Sequence, residues 1–180
     1  MLSSVIRNIT AKLKATYDYS SLQINLPEDL SDAVIDWGKK NIPEDTLHNN
    51  GNDTKGREDD IHTTLFYGIK SPDVNAVKKF ITVKPFIIRM GLITAFMDND
   101  YDVLKIEASA PELYKLHYNV RNNVENENKF PTYSPHITIA YLKKGNALKW
   151  VGDKVFDGKE FNVNEIIFSS SNGNRIPIKF

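Results

Sequence analysis

Ile61-His62-Thr63-Thr64-Leu65-Phe66-Tyr67-Gly68 is a run of β-branched and aromatic residues, a composition that reads as a strand. Side chains two apart on a strand share a face, so this one presents the imidazole of His62 beside the hydroxyl of Thr64. Pro135-His136-Ile137-Thr138-Ile139-Ala140-Tyr141-Leu142 repeats the arrangement about half a chain later and pairs His136 with Thr138. Two such strands brought together in space make a two-histidine acid/base site.

Phosphodiester cleavage asks for that equipment. One group takes a proton from the attacking oxygen while another gives one to the leaving oxygen. A side chain with an ordinary pKa of about 6.5 serves either role near neutral pH, and threonine hydroxyls donate to phosphoryl oxygens. The chain has only four histidines, and two of them occupy the repeated motif. His48 sits in a polar loop and reads as solvated, and His117 reads as a surface or core residue of a helix. Asp60, His62 and Thr64 alternate onto one face and offer a metal-binding alternative, but the matching position before His136 is Ser134. No adjacent His-Asp dyad or phosphate-binding glycine loop is present, and no metal or cofactor is expected.

At 180 residues the chain suits a single domain spanning residues 1–180, built of two lobes. Its 23 basic residues balance 23 acidic ones, so a long duplex nucleic acid is not an expected partner. A small ligand with a few phosphates needs no basic surplus. The absence of cysteine excludes thiolate catalysis and disulfides and suits a cytoplasmic protein. No apolar run reaches the ~18 residues of a membrane span.

Leu2 to Ala15 suggests a short amphipathic helix, and Tyr17 to Leu26 alternates like a strand. PEDLSDAVIDWGKK (27–40) reads as a helix, with acidic residues first, lysines last and Leu30, Val34 and Trp37 on one face. The polar stretch from Pro43 to Asp60, rich in Gly and Asn, is expected to be a mobile loop able to act as a lid. SPDVNAVKKF (71–80) suggests a helix, while FIIRMGLITAFMD and YDVLKIEAS suggest a hairpin about Asn99. Another helix runs from Pro111 through Val124. FNVNEIIFSSS (161–171) and RIPIKF (175–180) look like two closing strands joined by a Ser-Asn-Gly-Asn turn. The pattern is α+β, with a loosely recurring unit of strand, motif and helix.

The paired His-x-Thr motifs, each followed by apolar strand residues, resemble those of the 2H phosphoesterase superfamily. The wider contexts GREDDIHTTLFYGI and FPTYSPHITIAYL are similar to a viral branch that includes phage anti-CBASS phosphodiesterases, which degrade cyclic oligonucleotide alarms. The resemblance implies a bilobal fold in which two antiparallel-rich sheets with flanking helices face each other across a central cleft. It also implies metal-independent cleavage of 3′-5′ bonds in cyclic di- or trinucleotides. His62 and His136 would exchange base and acid roles, and Thr64 and Thr138 would hold the phosphoryl oxygens. For substrate binding it points to an aromatic near the N-terminus and an acidic residue after the second motif, here Tyr17 and Glu165, and Tyr133 is a further stacking candidate. No tryptophan follows Trp150, whereas the branch uses one late in its chain. If the protein is viral, the host cell cytoplasm is the expected site of action. Two other readings remain open: an RNA-end enzyme acting on 2′,3′-cyclic phosphates or 2′-5′ linkages, and a sponge that binds nucleotides without cleaving them. The oligomeric state is left open.

Overall fold

The computed structural model describes residues 17–49, 51, 54–98 and 100–180; the helix expected over Leu2 to Ala15 lies outside them. Eight strands alternate with three helices: β1 (Ser20–Asn25), α1 (Glu28–Asn41), β2 (His62–Ile69), α2 (Asn75–Lys78), β3 (Phe86–Met97), β4 (Tyr101–Ser109), α3 (Pro111–Asn123), β5 (His136–Lys143), β6 (Glu160–Val163), β7 (Glu165–Ser169) and β8 (Arg175–Lys179). Helix α1 begins after Pro27 with Glu28 and Asp29 in its first turn and Lys39 and Lys40 in its last, charges that complement the helix dipole. Its face packs Trp37 edge-on against Trp150 and Phe156.

The strands form one curled sheet in the order β6-β3-β4-β5-β2-β1-β7-β8, with every pair antiparallel. This corrects the expectation of two sheets. The two halves are joined where β2 meets β5, and that junction is registered at a single pair, Thr63 opposite Ile137. Both residues are fully buried, and the Thr63 hydroxyl donates to the His136 carbonyl at 2.7 Å.

The junction is short because other segments take the facing edges on either side of it. Along β5, Glu58 N–H donates to the Ile139 carbonyl, His48 N–H to the Tyr141 carbonyl, and Tyr141 N–H to the Gly56 carbonyl. Along β2, Lys70 N–H donates to Glu125 and Glu127 N–H donates to Gly68. Each motif strand is thus edged by the segment that precedes the other motif. A wedge on each side limits direct pairing of β2 with β5 to that one registered pair.

The described part of the 43–60 segment pairs its backbone with β5. Arg57 donates to the Ile42 carbonyl and Lys143 to the Asp45 carbonyl. Gly56, at φ +114°, turns the chain where an added Cβ would lie 2.3 Å from the His48 carbonyl oxygen. Two further expectations are corrected. The 71–80 segment forms only the single turn α2, where the Asp73 carboxylate accepts from Asn75 N–H and Phe80 N–H bonds back three residues to Val77, the tighter geometry that ends a helix. FNVNEIIFSSS divides at Asn164: β6 pairs with β3 at one edge of the sheet and β7 pairs with β1 in the other half.

Leu104, Ile106 and Ala108 of β4, Ile137 of β5 and Leu65 of β2 are buried in one continuous core. The opposite faces of the same strands carry His62 and Thr64 on β2, Lys105 and Glu107 on β4, and His136 and Thr138 on β5. No helix among the described residues is long and apolar enough to cross a membrane.

Candidate active site

Alternation about the Thr63–Ile137 pair turns His62, Thr64, His136 and Thr138 to the face opposite the core. Antiparallel register sets His62 across from Thr138 and Thr64 across from His136. The four motif side chains therefore meet at the sheet junction, as the paired-motif argument requires.

Both imidazoles are held in the same way. His62 Nδ1 lies 2.5 Å from the Asp60 carbonyl oxygen and His136 Nδ1 lies 2.7 Å from the Ser134 carbonyl oxygen, each acceptor two residues back along the chain, just ahead of its strand. A carbonyl only accepts, so Nδ1 carries the proton and Nε2 is left for proton transfer.

Their electrostatic surroundings differ. Near His62, an Asp60 carboxylate oxygen is 4.0 Å from Nδ1 and is itself held by Arg175 at 3.0 Å. Burial pushes the carboxyl of Glu58 up, against the pull of a positive His62. Near His136, Phe96 stands edge-on, with ring centroids 5.0 Å apart. Burial pushes the His136 imidazole below its ordinary range; the Ser134 carbonyl opposes that shift, while the positive charges of Lys105 and His62 add to it.

The neighbouring strands extend this face of the sheet. Gln23 and Asn25 of β1 lie opposite Thr64 and His62, and Lys105 and Glu107 of β4 lie opposite Thr138 and His136. These four were not singled out in the sequence, although the period-two alternation of YDVLKIEAS does place Lys105 and Glu107 together on its polar face.

Tyr17 is exposed and lines a cavity of about 300 Å³ with Tyr19, Gln23, Tyr67, Ser169 and Arg175, beside the first motif. Glu165 projects from the same face of β7 as Ser169 and borders a separate recess of about 220 Å³ with Asn25. Tyr133 is committed to packing: its ring stacks on His117 at 4.0 Å and its hydroxyl donates to the Thr64 carbonyl, so it braces the first motif from behind. His117 is buried, with Nδ1 bonded to the Leu65 carbonyl. His48 stacks on Tyr101. The Asp60 carboxylate is spent on Arg175, and no cluster of metal-ligating side chains occurs among the described residues. A cavity of about 1080 Å³ between α1 and the 44–59 segment is lined by none of the four motif residues.

A curled antiparallel sheet with paired His-x-Thr motifs at its junction defines a 2H phosphoesterase. Solved structures agree on the fold. TT0787 of Thermus thermophilus superimposes with a TM-score of 0.64 at 19% identity, covering 83% of this chain and 86% of that one. Escherichia coli LigT in apo form gives 0.52 at 16% identity over 92% and 96%, and LigT complexed with ATP gives 0.55 at 16% over the same shares. No curated protein sequence matches the chain. The family model described as anti-CBASS protein Acb1 matches residues 22–169, and the chain belongs to that family. It is accordingly a phosphodiesterase.

Proposed function

We propose that this protein opens the 3′-5′ phosphodiester bonds of cyclic di- and trinucleotide messengers by two-histidine acid/base catalysis that needs no metal. The observation that carries the reading is the meeting of His62 and His136 at the Thr63–Ile137 junction, each with Nδ1 tied to a carbonyl and Nε2 left for proton transfer. The substrate's 2′-hydroxyl attacks phosphorus while one imidazole accepts its proton. The P–O5′ bond breaks as the other imidazole donates a proton to the departing oxygen, leaving a 2′,3′-cyclic phosphate. Water then opens that ring with the two roles exchanged, so the enzyme returns to its starting protonation. Thr64 and Thr138 donate to the phosphoryl oxygens where charge accumulates.

Binding follows from the same face. The Tyr17, Tyr19 and Tyr67 cavity has the size and aromatic lining to stack a nucleobase, with Gln23 and Ser169 at its rim, and Glu165 accepts from a base amino group at the neighbouring recess. The bound form is a small nucleotide rather than a long duplex, and the site of action is the host cytoplasm.

Product analysis in EDTA tests this, using cyclic di- and trinucleotides and 2′,3′-cyclic mononucleotides, with the His62→Ala, His136→Ala double variant as control. Linearised cyclic oligonucleotides from wild type alone are expected. Opening of the mononucleotides alone replaces this reading with RNA-end processing, and tight binding without turnover replaces it with a sponge.

A further inference from the structure

Lys105 is the most heavily buried charged side chain on the cleft face, only 5% exposed. On β4 its Cα partners are Thr94 of β3 and Thr138 of β5, so Thr94, Lys105 and Thr138 form a row across the sheet that leads to the junction. The ammonium donates to the Thr94 hydroxyl at 2.8 Å and lies 4.3 Å from the centre of the Phe96 ring. That same ring abuts His136. No carboxylate among the described residues forms an ion pair with it. Glu107 supplies only a longer-range opposing charge, and its Oε2 lies toward Gly91, 3.4 Å from where a Cβ would sit.

Burying an ammonium with one neutral hydroxyl acceptor and one aromatic face is costly. A leucine or methionine at this position would stabilise the sheet more cheaply. Placing an uncompensated cation in a catalytic cleft makes physical sense when an anion completes it. The anion that reaches this point is the one held between Thr138 and the two imidazoles.

We propose that Lys105 is the phosphoryl-binding cation of this site, its ammonium holding a non-bridging oxygen of the scissile phosphodiester beside Thr138. The assignment rests on the phosphodiesterase reading above and deepens it. It also orders the histidines. A cation beside His136 disfavours a second positive charge there, so His136 begins as the neutral ring that accepts the 2′-hydroxyl proton. His62 is then left as the ring that protonates the leaving oxygen. The charged groups around the pair are Lys105 and Glu107 on β4, Asp60 and Glu58 ahead of β2, and Arg175 on β8, and the Asp60 carboxylate already engages Arg175.

The test uses the RpRp and SpSp phosphorothioates of a cyclic dinucleotide and the two diastereomers of a 2′,3′-cyclic phosphorothioate. Sulfur in place of the oxygen that Lys105 holds weakens that contact. Wild type should prefer one diastereomer by about tenfold. Lys105→Met should lower kcat/KM on the unmodified substrate by about 100-fold and collapse the preference to near unity. It should also raise the acidic limb of the pH–rate profile. A purely structural lysine predicts an equal loss on both diastereomers with the preference and the pH limb unmoved, and that result overturns the assignment. Lys105→Met removes a buried charge at similar length, and Thr94→Val, which frees the ammonium but keeps its charge, is the second variant: a smaller loss with a weakened preference is expected, and an unchanged preference counts against the proposal. A wild-type enzyme that turns over none of these substrates refutes the two-histidine reading itself. Wild-type turnover with an unaltered Lys105→Met refutes the role of Lys105 alone.

Discussion

Thr63→Val tests whether the sheet junction holds the two histidines in place. The substitution keeps the side chain's shape and removes one hydroxyl from a fully buried position on the face away from the cleft, where it touches no substrate. The hydroxyl's acceptor is the carbonyl of His136 itself. A buried carbonyl that loses its donor costs about 1–3 kcal/mol, which for a chain of this size lowers Tm by roughly 2–12 °C. The catalytic consequence is the sharper one. With one registered pair joining the half-sheets, loosening it lets the His62 and His136 strands shift, and misplacing a catalytic group by about 1 Å costs roughly 10²-fold. Thr63→Ser keeps the hydroxyl and serves as the control. Chemical denaturation and single-turnover kinetics should show the valine variant less stable and about 10- to 100-fold slower, with the serine variant close to wild type in rate. Equal stability and equal turnover for valine would refute the idea that this hydrogen bond sets the site's geometry.

His62→Ala and His136→Ala should each reduce turnover by about 10²–10⁴-fold with the fold retained, measured as initial rates alongside circular dichroism; the wild-type profile should be bell-shaped in pH. Because burial depresses His136, the acidic limb should lie below the ordinary histidine value of about 6.5. Burial depresses His117 as well, so the unfolded chain takes up protons that the folded one refuses. Stability should therefore fall as pH drops through about 6.5, and His117→Asn, which keeps a donor toward Leu65 but does not titrate, should flatten the dependence of the urea midpoint between neutral and mildly acid pH. Gly56→Ala should destabilise by roughly 2–3 kcal/mol, because the left-handed backbone and the His48 carbonyl at 2.3 Å both oppose a Cβ; thermal unfolding checks it.

The motif residues were legible in the sequence because their signal is local: a strand with His and Thr two apart needs no knowledge of neighbours to share a face. Thr63 was not legible as a bridge, since its partner is a backbone carbonyl 73 positions away. Lys105 and Glu107 follow the pattern of a half-buried strand whose polar side meets solvent, and only the curl of the sheet turns that side into a cleft wall. Asn164 separates two segments that both favour strands, with no glycine or proline between them, so the division appears only when β6 and β7 choose different partners. The pairing of the 43–60 segment with β5 was not legible because its side chains are polar and the described residues pair through their backbone.

The site combines a symmetric frame with asymmetric charge. Under the exchange of β2 with β5, Gln23 corresponds to Lys105 and Asn25 to Glu107, while both Nδ1 atoms keep identical partners two residues back. The shared frame suits a reaction whose second step reverses the first, since each imidazole must both give and take a proton. Identical surroundings, however, would give both rings the same proton affinity and leave the starting protonation undefined. The charged neighbours are not symmetric, Lys105 and Glu107 standing on the His136 side and Asp60 on the His62 side, and burial together with the charge of Lys105 depresses His136. On the proposed roles, the strand neighbours decide which histidine begins as base, and the twofold frame allows the roles to exchange once the first bond has broken.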